Sequence, residues 1–329
     1  MKAKFGVFAD LHVDIMHDGQ ERLEKFLDAC RKADVDFVIH CGDFCYPDEG
    51  RKNVTRPEMQ PINIENALKY PTYANKDKIH NMYMNFEKPS YHVLGNHDCD
   101  MCTKRQVLDY YGADYDSYYS FDVGGVHFVV LDGNFTKIGD EYVDYANGNY
   151  FNQEGTIPYF SDKEIKWLEK DLASTPYPSI LFSHQAIAGG WASLVNSEEV
   201  RKVVNAAPNK VLLAINGHEH TDRLSHIDDV WYLDLNSMSC LWLDLDFTYL
   251  GRYTEEIDEK YPNMRYVAPY KDPLFAIITV DDDGIDIKGV QSEWVGPSPD
   301  ELGAKEDWSW CKDIPDLSPS IQDRYIPLK

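Results

Sequence analysis

The chain has 329 residues, of which 43% are hydrophobic and 27% are charged. This length and hydrophobic share support one large α/β domain or two smaller ones, and they argue against general disorder. The formal charge of −24 argues against a DNA-binding surface. A small anionic substrate remains compatible with this charge if bound metal cations reverse its sign locally.

A predicted strand begins directly at residue 4, and no apolar run approaches the ~18 residues of a membrane span. We therefore predict a cytoplasmic protein without a signal peptide or a membrane partner, and we leave its oligomeric state open. The seven cysteines do not suggest a disulfide framework in a chain of this length. Cys99 and Cys102 form a Cys-x-x-Cys pair, for which we favour buried thiols over a redox pair or a further metal site.

Apolar and β-branched runs that end in polar clusters predict strands at 4–9, 36–40, 91–94, 126–131, 179–182, 211–215 and 230–233. Helical patterns lie at 20–32, 73–86, 103–110, 161–172, 197–206 and 252–260. Ser161 and Glu164 have the spacing of a capping box. Strands that alternate with helices predict an α/β fold with a parallel or mixed sheet, whose ligands gather at the carboxyl ends of the strands.

We predict one domain over residues 1–292, with a motif-bearing core at 4–235, and a C-terminal extension or extended tail at 293–329. A hairpin of strands 274–280 and 285–290 closes the domain. The segments 46–75 and 133–160 look inserted. Both leave from motif-bearing strand ends, so they either cover the site or are ordinary surface loops.

Five polar clusters carry the residue types that hold a pair of divalent metal ions. They are Asp10-Leu11-His12, Gly42-Asp43, Gly95-Asn96-His97-Asp98, Ser183-His184 and Gly217-His218-Glu219-His220. In extended geometry, residues two apart project on the same side, so Asp10 should point with His12 and His218 with His220. Two ions ~3.5–4 Å apart can clamp a phosphoryl group and generate hydroxide near neutral pH. Each cluster alone occurs by chance, and only their order at strand ends makes the prediction specific.

Taken together, these clusters resemble the calcineurin-like metallophosphoesterase superfamily over about two thirds of the chain. The resemblance implies a four-layer αββα sandwich of two mixed sheets flanked by helices. It also implies a site for two divalent ions, either Mn, Fe or Zn. By position, the implied ligands of the first ion are Asp10, His12, Asp43 and His220, with Asp43 bridging, and those of the second are Asn96, His184 and His218.

The same resemblance implies that His97 faces the substrate and is not a ligand. It would protonate the leaving oxygen or stabilise charge on the phosphoryl group, and such general acid help is typically worth ~10²–10⁴-fold. Asp98 is predicted to accept a hydrogen bond from the His97 imidazole and to fix its tautomer. The implied mechanism is in-line attack by a metal-bridging hydroxide, without a covalent enzyme intermediate.

The motif variants look most like those of bacterial class III cyclic-nucleotide phosphodiesterases and nucleotide pyrophosphatases. Protein phosphatases and purple acid phosphatases fit less well, although Tyr46 stands where the latter have a tyrosine ligand. Tyr46, Phe135 and Trp191 are candidate pocket residues that could stack on a base, or else ordinary packing residues. The substrate is a small phosphodiester, phosphomonoester or nucleotide pyrophosphate. The alternative is a non-catalytic metal-binding scaffold of the same fold.

Overall fold

The structure is a computed structural model, and it describes residues 1–13, 15–44, 71–100, 103–113, 116–145, 156–190, 193–243, 245–304 and 317–328. The strands are β1 (Lys2–Phe8), β2 (Phe37–His40), β3 (Ser90–His92), β4 (Tyr119–Val123), β5 (Val126–Val130), β6 (Phe135–Ile138), β7 (Glu141–Asp144), β8 (Thr156–Tyr159), β9 (Ser179–Ser183), β10 (Val211–Asn216), β11 (Arg223–Ile227), β12 (Val230–Asp234), β13 (Cys240–Trp242), β14 (Val267–Pro269), β15 (Ala276–Asp281), β16 (Gly284–Lys288) and β17 (Arg324–Pro327). The α-helices are α1 (Gly19–Ala33), α2 (Pro71–Met84), α3 (Lys104–Tyr110), α4 (Asp162–Ser174), α5 (Ser197–Ala206) and α6 (Glu255–Lys260). Short 3-10 helices lie at His97–Cys99, Leu245–Phe247 and Pro262–Tyr266.

Two six-stranded mixed sheets form the centre of the fold. The first has the order β17-β16-β15-β1-β2-β3, and the second has the order β11-β12-β10-β9-β5-β4. The motif-bearing strands β1, β2 and β3 run parallel to one another, as do β5, β9, β10 and β12. The carboxyl ends of the parallel strands within each sheet therefore meet at one edge, as the sequence predicts.

The two sheets pack face to face through a core of aromatic and branched side chains. Phe5 of the first sheet meets Phe128 and Phe182 of the second at ring-centroid distances of 5.5 and 5.7 Å, both edge to face. All three rings are fully buried in one continuous cluster. The mostly apolar sequences of β1, β5 and β9 follow from this position, because both faces of these strands are covered.

Helices cover the outer face of each sheet and complete the predicted four-layer αββα sandwich, which is confirmed. Phe26 of α1 packs on Phe8 of β1 outside the first sheet. Leu168 of α4 and Val200 of α5 pack outside the second. None of the helices in the described ranges combines the length and the apolar character needed to cross a bilayer.

Two predicted local features differ in the structure. Ser161 caps α4 by accepting the backbone N–H of Glu164, but the Glu164 carboxylate accepts the N–H of Asp132 instead of closing the capping box. Residues 133–160 contain a small antiparallel sheet, in the order β7-β6-β8, where the sequence suggested an inserted loop. The inserted segment at 46–75 lies largely outside the described residues.

The C-terminal extension contributes to the first sheet. Its strand β17 pairs antiparallel with β16, and its Ile321 and Ile326 are buried in the core between the sheets. The preceding residues after 293 also reach this core through Ala304. The extension is therefore packed on the domain, because β16 offers an edge that β17 covers.

Candidate metal centre

All of the predicted ligands lie just beyond the carboxyl ends of neighbouring strands. Asp10 and His12 follow β1, Asp43 follows β2 and Asn96 follows β3 in the first sheet. In the second sheet, His184 follows β9, and His218 and His220 follow β10. The structure thus brings together seven side chains that are separated by up to 210 positions in the sequence.

The first group consists of Asp10, His12 and His220, whose candidate ligand atoms all lie within 4.8 Å of one another. The His220 Nε2 atom is 3.3 Å from Asp10 Oδ1 and 3.4 Å from His12 Nε2. All three side chains are buried. Such a set of one carboxylate and two imidazoles can bind one divalent transition-metal ion.

The second group consists of Asp43, His184 and His218, with the same 4.8 Å limit between candidate ligand atoms. Asp43 Oδ2 is 3.2 Å from His184 Nε2 and 3.9 Å from His12 Nε2, so this carboxylate faces both groups. The Asn96 Oδ1 atom is 3.0 Å from His184 Nε2 and joins the second group. Asp43 occupies the position that a bridging ligand requires.

Backbone carbonyls orient two of the imidazoles. The Nδ1 atom of His184 lies 2.7 Å from the carbonyl oxygen of Cys41, and that of His220 lies 2.5 Å from the carbonyl oxygen of Cys240. Because a carbonyl only accepts, Nδ1 carries the proton and donates it, and Nε2 faces the candidate centre. This outer hydrogen bond is the usual support of a metal-binding histidine.

The pKa values show how strongly the buried groups interact. Burial lowers the pKa of His12 to about 3. Burial also opposes protonation of His184 and His220, but Asp43 outweighs it and raises the pKa of His184 to about 9, while Asp10 raises that of His220 to about 10. Protons thus balance the buried carboxylates, and divalent cations can replace them. The donor set of carboxylate, imidazole and amide fits Mn, Fe or Zn.

The ligand loops have an unusual backbone conformation. Five of the seven predicted ligands have positive φ, between 46° and 71°, namely Asp10, His12, Asp43, His218 and His220. A residue with a side chain in this region costs of order 1–3 kcal/mol, and such residues cluster at functional sites. The prediction that the paired ligands lie in extended backbone is therefore wrong. Their side chains converge because these residues lie in tight turns after the strands.

Glycines allow these turns to approach one another closely. Gly42 has φ of +90°, which favours glycine. A Cβ atom at Gly95 would clash with the Asp43 carboxylate, and one at Gly217 would lie 2.6 Å from Asp10 Oδ2. The glycines of the sequence motifs thus leave room for the carboxylates that face the centre.

Asp98 does not have the role that the sequence suggested. Its buried carboxylate accepts the backbone N–H groups of Asp43, Phe44 and Gly95 at 3.1, 3.0 and 2.8 Å. It therefore ties the loop after β2 to the loop after β3. Burial and the nearby Asp43 raise the pKa of Asp98 to about 6.

Asp100 takes the place predicted for Asp98 beside His97. His97 Nδ1 lies 2.8 Å from Asp100 Oδ2, and Tyr145 donates its hydroxyl to Asp100 Oδ1 at 3.0 Å. The turn at His97–Cys99 is a 3-10 helix, so residues three apart lie on the same side. The sequence spacing of His97 and Asp100 could have revealed this pair, had a helical turn been assumed.

Of the three aromatic residues predicted to line a substrate pocket, Phe135 alone lies among the described residues. Phe135 lines a cavity of about 520 Å³, with Lys104 Nζ 3.3 Å above its ring, and the described residues that line this cavity include none of the seven predicted ligands. Tyr46 and Trp191 lie outside the described residues, as do Cys45 and Cys102. Trp242, which the sequence did not indicate, lies 5.5 Å from His12 between ring centroids.

Comparisons with known proteins agree with this geometry. The sequence model of the family described as calcineurin-like phosphoesterase matches residues 3–222. Purple acid phosphatase 3 of Arabidopsis thaliana is 26% identical over 231 residues, which cover 67% of this chain and 58% of that protein. The structure of a dimetal phosphatase from Danio rerio superposes with a TM-score of 0.56 and 16% identity, covering 90% of this chain and 99% of that one.

Proposed function

The chain belongs to the calcineurin-like phosphoesterase family, and we propose that it is a dimetal-dependent hydrolase of a small phosphodiester, phosphomonoester or nucleotide pyrophosphate. The observation that carries this proposal is the pair of largely buried groups of candidate ligands, both of which Asp43 faces. The similarity to a purple acid phosphatase, at 26% identity, supports phosphoester chemistry without assigning the branch of the family.

Two divalent ions in these groups would bind the phosphoryl oxygens and lower the pKa of a water molecule near them. Asp10, His12, Asp43 and His220 would hold the first ion, and Asn96, His184 and His218, with the shared Asp43, would hold the second. Mn, Fe and Zn all suit this donor set. The formal charge of −24 supports a small substrate over a nucleic acid.

We assign to His97 the transfer of a proton to the leaving oxygen. Its side chain is 16% exposed, whereas the ligands of the first group are buried, so it stands where the site opens to solvent. The hydrogen bond from Nδ1 to Asp100 leaves Nε2 as the atom that faces the substrate. Asp100 keeps the imidazole in this orientation.

The test is hydrolysis of bis(p-nitrophenyl) phosphate and p-nitrophenyl phosphate by protein loaded with Mn²⁺, Fe²⁺ or Zn²⁺. We expect turnover with at least one ion, its loss after chelation, and a decrease of kcat by about 10²–10⁴-fold in His97→Ala. Asp43→Asn should lose both activity and metal, whereas Asp140→Asn, at an exposed turn, should retain both. Absence of turnover with every ion, despite full metal loading, would favour the non-catalytic scaffold.

A further inference from the structure

Trp242 stands beside the histidine that we assign to the leaving group. Its ring centroid lies 6.2 Å from that of His97, 5.5 Å from that of His12 and 6.4 Å from that of His220. It therefore adjoins both the first ligand group and the proton donor. It also lies beyond residue 222, where the match to the family ends.

The opening of the site is defined by the side chains that solvent can reach. Among the described residues grouped at the centre, three are partly exposed, His97, His218 and Trp242, whereas the other predicted ligands are buried. A substrate whose phosphoryl group reaches the ligands must extend outward past these three residues. Because His97 is the proton donor, the group that passes Trp242 is on the leaving side of the ester.

The strand β13 fixes the indole in this position. Trp242 pairs with Val267 of β14, and its ring packs against the small apolar cluster that contains Met264 and Val267. Two residues earlier, the carbonyl of Cys240 orients the His220 imidazole. The indole is thus held on one side by the protein and remains partly exposed to solvent, so a contact with a substrate group would require little further ordering.

We propose that Trp242 stacks on a planar aromatic group carried by the leaving side of the substrate, and so selects phosphoesters with an aryl or nucleobase group. This inference rests on the proposed function, because the phosphoryl group must first reach the ligand groups. An indole next to a planar ring gains offset or edge-to-face contacts, which correspond to a preference of about three- to tenfold over a saturated group of the same size.

The test compares benzyl phosphate with cyclohexylmethyl phosphate, which differ in the planar ring but have similar leaving-group basicity. The metal-loaded protein should favour the benzyl ester in kcat/KM by about three- to tenfold, mainly through KM. Trp242→Leu should abolish the preference, and Trp242→Phe should restore most of it. Trp231→Leu is the matched control, because Trp231 is a partly buried strand residue that stacks on His226, and it should keep the preference.

A ratio of two substrates within one variant cancels any change in metal content or folded fraction, which would lower both rates together. Equal rates for the two esters in the unaltered protein would overturn the inference, as would a preference that survives Trp242→Leu. Choline phosphate serves as a third substrate, and a stronger Trp242-dependent preference for it would show cation recognition by the indole instead of aromatic stacking.

Binding of two phosphonates separates this inference from the proposed function. Benzylphosphonate and cyclohexylmethylphosphonate cannot be hydrolysed, and their affinities for the metal-loaded protein are measured by calorimetry. Tighter binding of benzylphosphonate that depends on Trp242, without turnover of either ester, would refute catalysis and support the stacking role. Failure of both phosphonates to bind would overturn the stacking role as well.

Discussion

At the scale of single residues, the two aspartates that flank Cys99 have different tasks although they are two positions apart. Asp98 accepts three backbone N–H groups and is buried, so it holds loops. Asp100 lies beside His97 and also receives the Tyr145 hydroxyl, so it orients a side chain. The difference arises because the 3-10 turn at His97–Cys99 points every third residue in the same direction.

Asn substitutions distinguish these two tasks. Asp100→Asn should lower kcat by about 10–100-fold, because the imidazole loses the carboxylate that orients it. Its metal content and melting temperature should change little. Asp98→Asn should instead reduce stability by about 1–3 kcal/mol and weaken metal binding, since one amide group cannot accept three N–H donors. An unchanged kcat in Asp100→Asn would contradict the assigned positioning role.

At the scale of elements, the segment from Ser237 to Trp242 supports the ligand loop after β1. Ser237 Oγ donates to the Asp10 carbonyl at 2.9 Å, and Ser239 Oγ donates to the Leu11 carbonyl at 2.7 Å. Arg22 of α1 reaches the same segment through the Met238 carbonyl. These contacts help to keep Asp10 and His12 in their positive-φ conformations, which isolated loops would leave.

Removing the two hydroxyls tests this support. The Ser237→Ala/Ser239→Ala double variant should lose about 2–6 kcal/mol of unfolding free energy in chelator, because the four buried hydrogen bonds of these hydroxyls disappear. Metal affinity should also fall, by about tenfold, since the loop is less well organised. Ser193→Ala removes an exposed hydroxyl that bonds to the Gly190 carbonyl, and it serves as the control in denaturant titration and metal-binding calorimetry.

A histidine far from the ligand loops joins a hairpin to a helix. His127 of β5 lies 2.6 Å from Asp122 of β4 through Nδ1 and 2.8 Å from Asp171 of α4 through Nε2. Burial alone would lower the pKa of His127, but the hydrogen bonds with Asp171 and Asp122 outweigh it and raise the pKa above 6.5. The protonated imidazole is therefore more stable in the folded state than in the unfolded state.

Because the folded pKa lies above the unfolded one, this stabilisation is complete below 6.5 and is lost as the pH rises through the folded value. The loss of unfolding free energy in His127→Gln should thus be larger at about pH 6 than at about pH 9. Urea titrations in chelator measure both values. An equal loss of unfolding free energy at both pH values would contradict this contribution of His127.

At the scale of the whole molecule, the candidate metal centre is built from side chains of both sheets. Asp10, His12, Asp43 and Asn96 come from the first sheet, and His184, His218 and His220 come from the second. Each ligand group therefore contains at least one side chain from each of the two sheets. Ions at these positions would thus crosslink both halves of the sandwich at its open edge.

Metal binding should therefore stabilise the complete fold. At a free metal concentration of 100 times Kd, mass action adds about 2.7 kcal/mol to the unfolding free energy, and thermal unfolding with and without chelator would detect the rise in Tm. Asp43→Asn should remove most of this rise, because the shared carboxylate is lost. If Asp43→Asn showed the same metal-dependent rise as the unaltered protein, the ion would bind elsewhere.

The sequence by itself determined the order of the main strands and helices and the residue types at the strand ends, because hydrophobic periodicity and motif spacing are local properties. It could not determine that Asp100 and not Asp98 faces His97, that β17 closes the edge of the first sheet, or that Trp242 adjoins the centre. These features depend on contacts between residues distant in the chain or on the 3-10 conformation of a single turn. Only packing of the two sheets places them, and packing is a property of the whole fold.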